Sequence, residues 1–305
     1  MRFCKGPTPS ATKIARTIVH VSCHPKIAQL LPPGAGEATA RLLRAAGLLP
    51  DWMLAVLSSS PYRFLYKIVE MITIPGLSVH FALRKRFFDE TVREGLSGGA
   101  RQVLVVGCGM DALSSILAPE YPDVLFVEID TPETVDVKLS SLEQSGHSRG
   151  NHVLRGADLS RISLDDLLLS EGTWNPEAPS IAVAEGLLMY LPPPAVRDFF
   201  RAVRVCGGPS TRVAFSCLGL DGRGRPSVGS CDRLLRLFQI VAGERFRWGI
   251  DVEDLPGFLT SVGFELIDSR TSGSMLEQLD AAASLPDPGR IETFALAEAH
   301  SPSEG

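Results

Sequence analysis

Apolar positions along this chain follow one rhythm in the first hundred residues and another afterwards. Early on they recur at helical spacing. Ala11–Val21 reads as a short helix. Glu37–Gly47 reads as a second, with Ala38, Leu42, Leu43 and Ala46 on one face. Asp51 is placed to cap a third that runs toward Leu57. Pro61–Ile74 carries Phe64, Leu65, Ile68, Val69 and Ile72 at the same spacing, and Ser78–Leu96 follows as a long helix. From residue 102 onward, short valine-rich apolar runs alternate with helical stretches. The runs are Gln102–Val106, Val124–Val127, His152–Arg155, Ser180–Ala184, Thr211–Cys217, Phe264–Ser269 and Ile291–Ala297. Between them, helices are expected from Leu113, over Pro132–Gln144, Ser160–Ser170, Ala195–Val205 and Cys231–Ala242, and over Glu253–Val262. Seven strands alternating with helices predict an α/β fold, a Rossmann-like doubly wound sheet that is mostly parallel. No clear long helix joins the last two strands, since Ser272–Gly289 is irregular or weakly helical. The last strand is therefore expected to be antiparallel. Residues 1–75 form a helical region, either a cap over the site or a structural buttress, and residues 76–305 form the sheet domain.

Composition narrows the classes. The 305 residues are 45% hydrophobic and 21% charged, enough to bury a large core. A net charge of −5 argues against a nucleic-acid binder, which needs a basic surface. Cys4, Cys23, Cys108, Cys206, Cys217 and Cys231 are scattered without a CxxC pair, which suits a reducing compartment and a cytoplasmic protein better than disulfides or zinc. No apolar run reaches the length of a membrane span, and the first residues lack the continuous apolar run of a secretory signal. His20 and His24 have the spacing of metal ligands on a helix, but Pro25 follows and no third ligand is near, so no metal is expected.

The chemistry gathers in Arg101–Asp130. A buried-type strand runs straight into Gly107-Cys108-Gly109, where two glycines let the backbone turn sharply and approach a ligand. Glu128 and Asp130 follow about 20 residues later, the distance at which an open sheet brings an acid to a ribose. Up to this point an NAD(P)-dependent oxidoreductase and an S-adenosylmethionine (SAM) enzyme fit equally, since Ala112 can stand for the last residue of the dinucleotide fingerprint. Further on, Asp158 and Leu159 sit just past a strand end. Asp158 could cap the next helix or accept an adenine amine. Glu185, at the end of the fourth predicted strand, lies in the crevice position of such a sheet. Tyr190 follows it and could fill the base of a pocket. Arg84-Lys85-Arg86 is either a solvated basic face or the source of an arginine fork for a carboxylate.

Several of these stretches occur in an order that resembles the leucine carboxyl methyltransferase family, a branch of the class I SAM-dependent methyltransferases. They are LRKRFFDETV (83–92), QVLVVGCGMDAL (102–113), FVEIDTPETVDVK (126–138), GADL (156–159), AEGLLMYLP (184–192), FRWGI (246–250) and VGF (262–264). The resemblance implies SAM as cofactor. It implies that Arg84, or Arg86 two residues on, grips the methionine carboxylate, and that Gly107 and Gly109 form the turn beneath the cofactor. Asp130, with Glu128 beside it, would bind the ribose, Asp158 and Leu159 the adenine, and Glu185 the methionine end. Tyr190 would sit at the base of the substrate pocket. The implied activity is methyl transfer to an oxygen, carboxylate or hydroxyl, of a small molecule, with secondary metabolism as the implied setting. The implied protein is a monomer or homodimer, without nucleic-acid or membrane partners. A relative that binds SAM without catalysis is the remaining alternative. An ionised carboxylate acceptor needs no base. A hydroxyl acceptor needs one, and His80, His147, His152 and Tyr190 are the candidates.

Overall fold

A computed structural model describes residues 7–159, 161–170, 172–208, 210–228, 245–279 and 285–300. The helix expected over Cys231–Ala242 lies outside the described residues, as do Ser160 and part of Ser272–Gly289. The sheet has seven strands: β1 (Gln102–Val106), β2 (Leu125–Asp130), β3 (His152–Gly156), β4 (Ser180–Ala184), β5 (Arg212–Cys217), and the later strands Phe264–Thr271 and Thr293–Ala299. A two-residue pair, β6 (Gly219–Leu220) and β7 (Pro226–Ser227), stands apart, so the later strands are β8 and β9. Spatial order is β3-β2-β1-β4-β5-β9-β8. β1 to β5 are parallel, and β9 runs antiparallel to both β5 and β8. The expected antiparallel last strand is present, inserted between β5 and β8.

Alternation along each strand explains the layers. Leu104, Val106, Val127, Ile129, Ala182, Ala184, Val213 and Phe215 face one side, and α9 (Pro193–Cys206) and α10 (Leu255–Val262) pack on them through Phe199, Phe200, Leu255 and Leu259. Val103, Val105, Phe126, Ile181, Val183 and Ala214 face the other side, against α5 (Leu77–Ser97) and α6 (Leu113–Glu120). α5 buries Leu83, Phe87, Phe88 and Val92, and with them Arg84. Two buried faces are what a parallel sheet requires, and they account for the continuous apolar reading of β1.

The N-terminal helices are α1 (Pro9–Ser22), α2 (Ala35–Ala45), α3 (Asp51–Ser58) and α4 (Ser60–Thr73). Thr8 caps α1 by accepting from the Ala11 N–H. Ala15 and Val19 of α1 share a core with Leu42, Leu43, Leu49 and Leu57, and that core continues into Met110 and Leu142 of the sheet domain. Arg16 ties α1 to the chain after α2, donating twice to the Leu48 carbonyl. α4 differs: Phe64, Leu65, Val69, Met71 and Ile72 on it are exposed.

One departure from the sequence reading bears on the site. β2 runs to Asp130, not Val127, so Glu128 lies inside the strand with its side chain under α7 (Pro132–Gln144).

Candidate functional site

A cavity of about 400 Å³ opens at the carboxyl ends of β1, β2 and β4. This is the crevice where open α/β sheets bind ligands, and its volume lies in the range of small-molecule sites. Its floor is the turn after β1. Gly107 has φ +71° and Gly109 φ +47°, a region that favours glycine. A Cβ on Gly107 would come within 2.9 Å of the Leu187 side chain, and one on Gly109 within 3.0 Å of Ala11. The turn is therefore closed in from two sides, by the segment after β4 and by α1. The Gly107 and Cys108 N–H groups donate to the Ile129 carbonyl, which fastens the turn to β2.

Asp130 ends β2 and lines the cavity. Gly109 N–H donates to one of its oxygens and Thr131 N–H to the other, both at 2.7 Å. Each oxygen keeps a lone pair for a ligand hydroxyl.

The opposite end is a charge network. Arg84 Nε lies 3.0 Å from Glu185 Oε1, and Arg84 Nη1 donates to Glu292 Oε1 at 2.9 Å. Lys85 Nζ contacts both Glu185 Oε1 (2.8 Å) and Asp111 Oδ1 (2.7 Å). Behind them His80, fully buried, lies with Nε2 3.5 Å from Glu292 and Nδ1 on the Ser272 hydroxyl. Burial works against the charged forms of Arg84, Lys85, Glu292 and His80. For Arg84 the facing Glu292 and Glu185 outweigh it and raise the pKa. For Glu292, burial is outweighed by Arg84 and His80, which pull its pKa down to about 2. His80 goes the other way: burial lowers its pKa, and Glu292 offsets only part of this. Gly186, at φ +62°, keeps the chain after Glu185 close to the guanidinium, where a Cβ would sit 3.4 Å from Nη1.

Arg84, Gly107, Gly109, Asp130, Glu185 and Tyr190 all line this one cavity. Arg86 does not; it pairs with Glu90 one turn along α5, half-exposed. Three of the expected residues are placed elsewhere. Glu128 is sealed beneath α7, with Oε2 2.6 Å from Lys138 Nζ and 3.4 Å from His152 Nε2, all three buried. It serves the β2–α7–β3 unit instead of the cavity. Asp158 is exposed, pairs with Arg161, and its carbonyl accepts from the next turn. It and Leu159 lie one strand beyond Asp130, connected by the Ala157 N–H to the Asp130 carbonyl. His20, the possible ligand, is a packed residue: Nδ1 meets the Leu57 carbonyl and the ring lies on Tyr62 and Tyr66. Among the described residues no group of three or more His, Cys, Asp or Glu is placed to hold a metal.

Sequence reasoning missed Lys85, Asp111, Glu292, Arg245, Arg247 and the lining residues of α1, Thr8, Ala11 and Ile14. Lys85 was hidden because a basic triplet reads as solvated. Glu292 precedes β9 and comes from a segment 208 positions away from Arg84, and no local pattern signals such a contact.

Known proteins resemble this chain in sequence and in fold. The model of the family described as leucine carboxyl methyltransferase matches residues 36–204, more than half of the chain. A protein of Mycobacteroides abscessus provisionally named an S-adenosyl-L-methionine-dependent methyltransferase is 29% identical over 241 residues, covering 74% of each chain. One of Mycobacterium sp. (strain KMS), with the same provisional name, is 30% identical over 177 residues, covering 56% of this chain and 53% of its own. Among solved structures, a provisionally assigned methyltransferase of Thermobifida fusca superposes with a TM-score of 0.59 at 18% identity, covering 88% of this chain and 98% of that one.

Proposed function

The chain belongs to the leucine carboxyl methyltransferase family, and from that premise we propose that it transfers a methyl group from SAM to an oxygen of a small molecule. The fold is the class I methyltransferase fold, and dependence on SAM is common to the names of the two mycobacterial relatives. The oxidoreductase alternative rested on the glycine turn and the acid after it, and falls with the family match.

The observation that carries the reading is the convergence of three features in one cavity: the Gly107/Gly109 turn, the Asp130 carboxylate, and the Arg84–Glu185 pair. Their chemistry fits SAM. The glycine turn leaves room that a Cβ would fill. Asp130 offers lone pairs to the ribose hydroxyls. Arg84 has five N–H donors, of which Glu185 and Glu292 engage two, leaving three for a carboxylate. Glu185 can accept from an amino group beside it. Asp158 and Leu159, one strand beyond Asp130, are outside the cavity lining and carry no part of this reading. When bound, SAM supplies an electrophilic methyl carbon on a sulfonium. α1 covers the turn and lines the cavity through Ala11 and Ile14, which supports a covering role that excludes water.

The acceptor oxygen favoured by the wall is a carboxylate. No histidine is among the described residues that line the cavity, and its acids are engaged by Arg84, Lys85 or backbone N–H groups. Tyr190, the candidate base that does line it, is a phenol, a group ordinarily protonated at neutral pH. A carboxylate with a pKa near about 4 is ionised at neutral pH and needs no base. Titration calorimetry tests the site: wild type is expected to bind SAM and its demethylated product, S-adenosylhomocysteine (SAH). Asp130→Ala is expected to lose about tenfold or more in affinity, as removal of a ligand's buried hydrogen-bond partner does. Unchanged affinity in that variant would sink the proposed site. Incubation of a cell extract with labelled SAM, read by a mass shift of one methyl, tests the activity.

A further inference from the structure

The cavity holds seven charged side chains, and their charges are not balanced in the same way. Arg84, Lys85, Asp111 and Glu185 neutralise one another, with Glu292 behind them. Asp130 is held by two backbone N–H groups. That leaves Arg245 and Arg247. Both are exposed at the cavity wall, and neither makes an ion pair or hydrogen bond with its side chain among the described residues. Arg247 is nevertheless held in place through its backbone. Arg247 N–H donates to the Met189 carbonyl at 2.7 Å, and Trp248 N–H reaches the same oxygen at 3.3 Å. Trp248 is buried and packs on Phe258. Phe246, between the two arginines, lies with its ring 5.3 Å from that of Tyr190. The segment thus sets two guanidinium groups, without ion-pair partners among the described residues, beside an aromatic pair at the end of the cavity where Tyr190 stands.

We propose that Arg245 and Arg247 form a subsite for an oxyanion group of the acceptor, a carboxylate or phosphate that is not the oxygen being methylated. The inference rests on the methyltransferase reading of the cavity. A guanidinium fork matches a carboxylate or phosphate through parallel N–H bonds. The reacting oxygen is a poor partner for it. As its bond to the methyl carbon forms and the carbon–sulfur bond breaks, leaving the electron pair on sulfur, a reacting carboxylate gives up its negative charge. An ion pair to that oxygen would be stronger in the ground state than in the transition state, and would slow the step. A second anionic group keeps its charge throughout, so binding it costs nothing in rate. The apolar body between the two groups would lie along Phe246 and Tyr190. The acceptor class is therefore an aromatic or apolar molecule with at least one anionic group besides its methylated oxygen.

The test is calorimetry on the full chain loaded with SAH, comparing benzoate with benzamide, isophthalate with 3-carbamoylbenzoate, and phenyl phosphate with phenol. Wild type is expected to bind the more anionic member of at least one pair roughly tenfold tighter, the scale of a charge-assisted hydrogen bond. That preference is expected to collapse in Arg245→Gln/Arg247→Gln and to weaken with added salt. If no anionic member outbinds its twin on wild type, or if the preference survives in the double variant, the subsite is overturned. SAH affinity, measured on the same samples, is expected to be unchanged by the double substitution. Absence of SAH binding to wild type would remove the methyltransferase reading by itself, and the anion comparison would still decide the arginines.

Discussion

Two buried charge networks lie on neighbouring strands of the same sheet, and they differ in one respect that decides what each can do. Glu128, Lys138 and His152 join β2, α7 and β3 in a sealed cluster. Arg84, Lys85, Asp111, Glu185 and Glu292 join α5, the turn after β1, the end of β4 and the start of β9. Both keep their charges against the cost of burial, and both hold carboxylates below their ordinary pKa, Glu128 through Lys138 and His152, Glu292 through Arg84 and His80. Both have nitrogens left over, but Arg84, Lys85, Asp111 and Glu185 line a cavity, and Glu128, Lys138 and His152 do not. Burial and perturbed pKa mark a candidate site, but open donor capacity facing a void separates a ligand-binding network from a structural one.

The largest effect that probes this contrast belongs to the sealed cluster. Lys138→Met leaves the Glu128 carboxylate buried without its cation. That is expected to cost about 3–5 kcal/mol, measured by denaturant unfolding. Glu128→Leu/Lys138→Met removes both charges and is expected to recover much of the loss. SAH affinity per folded molecule is expected to stay at the wild-type value, because neither residue lines the cavity. A specific loss of SAH affinity would break the contrast.

At the open network the expected pattern is reversed. Arg84→Lys keeps a cation between Glu185 and Glu292 and removes the fork. Stability should change little beside Lys138→Met, while SAH affinity falls by roughly 1.5–3 kcal/mol, the scale of a lost charge-assisted bond. Equal affinity in Arg84→Lys and wild type would mean that Arg84 is a strut like Lys138 and that another group holds the carboxylate.

How far the sequence disclosed this division depends on whether a residue's partners are local. The strand–turn–helix rhythm of Gln102–Asp130 is local, and it led to the sheet, to the glycine turn and to Asp130. Glu128 stands two residues before Asp130 and looked equivalent in the sequence. The strand's alternation puts both on one face, but only Asp130 lies at the open end, and a difference of two residues along β2 changes a ligand-facing acid into a buried one. Arg84 and Arg86 show the same limit on a helix: two positions turn the side chain from the cavity to Glu90. Glu292, Arg245 and Arg247 were not legible because their roles depend on contacts across the fold. The apolar face of α4 predicted the helix correctly, yet Phe64, Leu65 and Ile72 are exposed. Periodicity reports that one face is apolar; it does not report what covers it.

The smallest expected effect separates the two networks by pH. His80 faces Glu292, Arg84, Glu185 and Ser272, and burial sets its folded pKa below the ordinary value of 6.5. When the chain unfolds below about pH 6.5, this histidine takes up a proton that the native state does not bind, so its contribution to stability is present above that pH and declines as pH falls. Glu292, held at about 2, stays ionised in both states over most of this window and adds little to the slope. Buried His20 and half-buried His24, also lowered, add to it in the same direction. His80→Asn is therefore expected to flatten the loss of stability between about pH 7.5 and 5.5 without abolishing it, by at most about 1.4 kcal/mol per pH unit, the limit for one proton. Unfolding midpoints at the two pH values measure it. An unchanged slope would mean that His80 binds its proton in the native state as readily as in the unfolded chain. The network behind Arg84 would then admit water, and its contrast with the sealed Glu128 cluster would be one of degree of burial as well as of access to the cavity.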